Sequence, residues 1–236
     1  MKALLSTALR TAMRFRGVIA AAVWILLALA VASSQRGQGS DDALIGTLGG
    51  LTLPLMSFTF VAAALFGGNL RSAVSPLVRL GASPERALAS VFAFPVGASA
   101  IAGAVLGSSV AGLTRDASSP ILDVLTSTWV AALGGAAYAA LFVTASSLGK
   151  RGGGRSVALA LDFVFGASNG VLGALSLRGH VRNLFGGVAP LEISQRTSSV
   201  VLALVVAAAF GVAYWRLRPA EARLKRAAAI DRAAGA

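Results

Sequence analysis

The chain contains no cysteine and only one histidine, His180. Disulfide scaffolds and thiolate metal sites are excluded, and one imidazole cannot build a histidine-based metal cluster. Charge is scarce as well. Only 13% of the 236 residues are Asp, Glu, Lys or Arg, about half the share of an ordinary soluble domain. A phosphate loop of the form GxxxxGK[ST] is also missing. The segment Leu148–Ser156, LGKRGGGRS, places its lysine ahead of the glycines and reads as a flexible basic loop. No serine stands in a His and Asp constellation. The chain therefore reads as non-enzymatic, with no cofactor of its own and His180 as a loop residue.

What is abundant is apolar sequence. Hydrophobic residues make up 56% of the chain and mean hydropathy is +0.77. Runs of about 18 or more apolar residues are candidate membrane spans. Six can be drawn, at about 17–33, 44–68, 87–113, 121–148, 157–177 and 199–215, within a single domain covering 1–236 and ending in a tail, 216–236. The expected class is an all-α polytopic membrane protein. The stretch before Ala30-Val31-Ala32 has the layout of a signal peptide but reads as the first membrane helix. Ahead of it, Leu5, Ala8, Leu9, Ala12 and Met13 recur at helical spacing opposite Arg10 and Arg14. This predicts an amphipathic elbow helix over 2–16.

The net charge of +12 raises the question of which membrane face it occupies, rather than of nucleic acid. With six spans, 16 of the 21 Lys and Arg fall on one side: before the first span, at 69–86, at 149–155 and in the tail. The other side receives Arg36, Arg115, Arg178, Arg182 and Arg196, offset by Asp41, Asp42, Asp116, Asp123 and Glu192. The positive-inside bias puts both termini in the cytoplasm. Apart from Asp123 at the outer edge of the fourth span, Asp162 is the only acid inside a span. It is a possible intramembrane polar site, read here as a group near the cytoplasmic end that is wet or paired with a basic loop residue such as Arg155. Glycines four apart, as in Gly103-x-x-x-Gly107, point to close helix packing within the chain.

The most punctuated stretch is VSPLVRLGASPERAL, residues 74–88. Ser75 can cap a helix beginning at Pro76 and covering Leu77, Val78, Arg79 and Leu80, and Gly81 supplies a left-handed stop. Ser83-Pro84-Glu85 then repeats the start signal. A short, stiff, basic helix held between two spans suits mechanical docking to another protein.

These segments together resemble a permease subunit of the type 2 export family of ATP-binding-cassette transporters. The likeness lies in SPLVRLGASPERALAS around the corner, in RGHVRNLFGGVAPLEISQRTSS at 178–199, and in the basic exit Tyr214-Trp-Arg-Leu-Arg218. It covers nearly the full length and rests on layout. The usual glutamate-containing run before the corner is missing. The resemblance implies six spans, the elbow helix, an outer re-entrant segment at 178–199, and a location in the bacterial cytoplasmic membrane. It implies a coupling helix, here Arg71 and Ser75–Gly81, seated on a separate ATPase subunit that binds ATP and Mg, and a second permease subunit enclosing the path. In that picture Arg71 and Arg79 supply charge pairing while Leu77, Val78 and Leu80 supply the packed face. A secondary carrier or a membrane anchor is the alternative.

Overall fold

The computed structural model describes residues 15–34, 44–65, 68–114 and 121–234, and every regular element among them is helical. The elbow at 2–16 lies outside the described residues, apart from the start of α1 (Phe15–Ser34). The later elements are α2 (Ile45–Ala64), α3 (Leu70–Arg79), α4 (Pro84–Thr114), α5 (Ile121–Ala145), α6 (Gly154–Phe165), α7 (Val171–Ala174), α8 (Leu177–Leu184) and α9 (Gln195–Ala234). The first two turns of α2, Ile45–Thr52, are wound as a π-helix. Among the described residues four helices are long and apolar enough to cross a bilayer: α2, α4, α5 and the part of α9 up to Leu217. The chain is a membrane-embedded helical protein.

Helix α5 is the hub, packed against α2, α4, α6 and α9. Its glycines and those of α4 decide how closely the pair approaches. A Cβ on Gly103 would overlap the carbonyl oxygen of Ala131, one on Gly107 would overlap that of Ser127, and one on Gly135 that of Ser99. These pairs run in opposite senses along the two helices, so α4 and α5 are antiparallel. The small-residue spacing therefore serves packing within the chain. Hydroxyls add polar ties across the hub. Ser57 donates to the Gly135 carbonyl at 3.2 Å and Thr144 to the Ala209 carbonyl at 2.9 Å.

The bundle has two distinct ends. At one, the Leu70 amide donates to Ser146 O, and Asn69, Arg71, Ser147, Gly149 and Arg216 line a common cleft. At the other, Leu44, Asp123, Leu184, Phe185 and Gln195 come together. Helices α2, α5 and α9 thus run in the same direction, and α4 runs back between them.

The stretch 157–177 is not one helix. Helix α6 spans 12 residues, about 18 Å at 1.5 Å per residue and short of a ~30 Å hydrocarbon core. The chain then turns at Gly166–Gly170 and returns through α7 and α8. The cause is tertiary. The Asp162 carboxylate accepts the backbone N–H of Arg178 at 3.2 Å, and Gly166 lets the chain double back, because a Cβ there would collide with Arg178 Cβ. Residues 177–192 pack against the bundle as α8 and a 3-10 turn, Pro190–Glu192, with His180, Val181, Asn183 and Leu184 buried.

Candidate functional site

The corner between α2 and α4 is a longer helix than the sequence reading expected. It begins at Leu70, where the Asn69 side chain accepts from the Ser72 amide at 2.8 Å. Asn69 is therefore the cap. Ser75 caps nothing, and Pro76 lies inside the helix. At the far end Gly81 has φ +89°, and its amide and that of Ala82 donate back to Val78 O and Leu77 O at 3.0 and 3.1 Å. Ser83 Oγ then accepts from the Arg86 amide at 3.4 Å, opening α4 at Pro84. Side-chain and backbone hydrogen bonds thus close both ends of α3, which holds its direction against the spans on either side.

The faces of α3 are divided differently from the expectation. Leu70 and Val74 are buried, and Leu77 and Val78 pack against the bundle's own core. Leu77 and Val78 are half-buried, each with part of its surface turned to the core. Arg71, Pro76, Arg79 and Gly81 are exposed, Ser75 is half-buried, and Leu80 is 77% exposed. A partner approaching this corner meets two guanidiniums and one bare leucine.

Asp162 is neither wet nor paired with Arg155. It is buried, and Tyr138 Oη donates to its Oδ2 at 2.9 Å while the Arg178 amide donates to Oδ1. Arg155 points elsewhere, with its guanidinium donating to Gly68 O at 3.4 Å and lying 5.7 Å from the centre of the Phe58 ring. Phe58, Phe142 and Tyr138 continue as an aromatic column with ring centres 5.7 and 5.9 Å apart. The column links Arg155 at the basic end to Asp162 inside the bundle. Chemically it is a packing spine closed by a satisfied carboxylate, and it contains no chain of exchangeable protons.

His180 is a buried helix residue and not a loop residue. Its Nε2 lies 2.9 Å from Ala174 O, and its Nδ1 lies 3.0 Å from Ser198 Oγ. Asn183 donates to Ser198 Oγ at 2.9 Å and to Ile193 O at 2.8 Å. The Ala174 carbonyl can only accept, so His180 Nε2–H donates to it, and Ser198 Oγ accepts from Asn183 while hydrogen-bonding His180 Nδ1. This network clamps α8 to the start of α9. The signal available in sequence was Ser176, which caps α8 by accepting from the Gly179 amide at 2.9 Å.

Several span hydroxyls are paired within the bundle, while Ser99 Oγ in α4 is buried without a partner. The hydroxyls of Thr52, Ser57, Thr59 and Thr128 each donate to a carbonyl of the bundle. Among the described residues no group of His, Asp and Glu is arranged to hold a metal ion. No protein-family model, curated protein or solved structure matches the chain.

Proposed function

We propose that the chain is the permease subunit of an ATP-driven exporter of the type 2 ATP-binding-cassette kind, set in a bacterial cytoplasmic membrane with both termini inside. The observation that carries this reading is α3, a short helix capped at both ends, anchored by Leu70, Val74, Leu77 and Val78 and presenting Arg71, Arg79 and Leu80 outward. A headgroup-level turn does not need this rigidity. A lever does, because force applied to the exposed face passes directly into α2 and α4. Six crossings follow if α1 is the first and if α6 with the returning α7–α8 forms the fifth, so that 177–192 is re-entrant from the outer side. Non-helical backbone at membrane depth is tolerated when buried in protein, and this segment is held to the bundle by the buried residues Leu177, His180, Val181, Asn183 and Leu184 of α8.

In this reading the ATPase subunit holds ATP and Mg, and its closure pushes α3. Two permease subunits, identical or related, then rock between inward-open and outward-open states. Asp162 serves as an anchor, so no coupling-ion path is needed. The test is to co-express the chain with its candidate ATPase and ask for co-purification and for ATPase stimulation in nanodiscs. Stoichiometric capture is expected. Transport that proceeds with the ATPase absent would overturn the reading.

A further inference from the structure

A second polar feature lies at the end of the bundle opposite α3. Arg178 and Arg182 are one turn apart on α8, so their side chains leave the same face. Both line a groove of about 240 Å³ whose other walls are Ile45, Gly46, Gly49, Gly50 and Leu51 of α2 together with Gly166 and Ala167. The groove exists because α2 offers glycines there. An added Cβ on Gly50 would come 3.9 Å from Arg178 Nη2, which places that nitrogen in the groove.

The two guanidiniums are positioned by neighbouring groups of the fold. Arg178 is held over the Phe163 ring, 4.9 Å from its centre, and Arg182 donates through Nη2 to Asn169 Oδ1. The Asp162 carboxylate accepts from Tyr138 Oη and from the Arg178 backbone amide, and no hydrogen bond joins it to either guanidinium. Among the described residues neither arginine forms a salt bridge with a carboxylate. Arg182 Nε is buried and has no hydrogen-bond partner. A buried, unmatched donor of a charged group is costly, because it has lost its hydrogen bonds to water. A native fold retains such a group most readily where a ligand completes it.

We infer that this groove binds the phosphate of an anionic lipid, with Arg178 and Arg182 clamping the headgroup. A forked guanidinium matches two phosphate oxygens at once. The occupant is a lipid and not a free anion because the remaining walls are apolar or glycine, and Leu51, 54% exposed on the surface of α2, continues the groove as a track for an acyl chain. The assignment is independent of any ATPase partner.

Native mass spectrometry of the full chain in a neutral detergent tests it with three probes: dioleoylphosphatidylglycerol, dioleoylglycerol and inorganic phosphate. One phosphatidylglycerol should be retained per chain, dioleoylglycerol should not bind, and free phosphate should compete only weakly. Arg178→Gln and Arg182→Gln should each weaken phosphatidylglycerol binding by about tenfold or more. Arg196→Gln, an exposed arginine at the same end, should leave it unchanged. Gly50→Leu keeps both arginines and fills the groove, so it should abolish retention, and it decides the matter if an arginine variant folds poorly. Wild-type lipid retention by Gly50→Leu, or by both folded arginine variants, would overturn the assignment. So would equal binding of dioleoylglycerol, and phosphate binding as tight as that of the lipid would replace it with a free-anion site.

Discussion

Tyr138 Oη donates to Asp162 Oδ2 at 2.9 Å, and the same carboxylate accepts the Arg178 amide. One side chain thus ties the hub α5 to α6 and to the chain returning after α6. Removing it would leave a phenol and a backbone N–H without partners in a low-dielectric interior.

Asp162→Ala should therefore destabilise the bundle by about 1–3 kcal/mol, read as a lower melting temperature in detergent. Asp162→Asn keeps one acceptor oxygen and should cost less. Tyr138→Phe combined with Asp162→Ala should cost less than the two single changes added together, because they remove one shared contact. Transport by Asp162→Asn is expected to survive. Its complete loss in a fully stable variant would mark Asp162 as a proton-carrying group instead of an anchor.

The α4–α5 approach yields a second expectation. Gly103→Val and Gly135→Val would drive a side chain into the carbonyls of Ala131 and Ser99, so the helices must separate. Overpacking of this sort costs about 1–3 kcal/mol, occasionally more. The control is Gly97→Ala in the same helix, where an added Cβ meets nothing within 4 Å. It should be neutral or stabilising by up to about 1 kcal/mol. Detergent-stable yield and melting temperature read both. Equal behaviour of the two sites would show that the glycines do not set the helix spacing.

Much of this architecture was legible because it is set locally. Gly81 announces a left-handed stop, Ser83-Pro84 opens α4, and long apolar runs report α2, α4, α5 and α9. The start of α3 was misread because Asn69 follows an apolar run drawn as far as residue 68, while Ser75-Pro76 imitates a start signal. The break after Phe165 was not legible, because hydropathy continues through Val171 and Leu172 and the cause is a hydrogen bond from a residue 16 positions away. The Arg178–Arg182 groove was equally hidden. Its walls come from segments more than 100 residues apart, and each arginine alone reads as a loop charge.

Sidedness can be tested directly, since the chain has no native thiol. Val188, 63% exposed, and the exposed Gly153 lie in the segments assigned to opposite faces. A membrane-impermeant maleimide should label Val188→Cys in intact cells and Gly153→Cys only after permeabilisation. Labelling of Gly153→Cys in intact cells would sink the six-crossing topology and the cytoplasmic position of α3.

The corner allows the sharpest separation of folding from coupling, because Leu77 and Leu80 lie three residues apart and face different environments. Leu77 packs on the bundle core and Leu80 is 77% exposed. Leu77→Asp should lower stability, since it places a carboxylate against apolar walls. Leu80→Asp touches nothing in the free chain and should leave melting unchanged. The same holds for Arg79→Glu. If an ATPase seats on α3, these two surface changes should reduce its capture, because a reversed charge at a complementary surface can cost several kcal/mol. Gly81→Val belongs to a third class. An added Cβ at Gly81 meets nothing within 4 Å, so its cost is purely conformational, from forcing a β-branched residue to φ +89°. Gly81→Asn, which tolerates that region better, should recover much of the loss. Yield, melting temperature and ATPase capture measured together separate the three classes. Retention of the ATPase at wild-type levels by both Leu80→Asp and Arg79→Glu would leave α3 as a well-capped turn and move the docking surface elsewhere.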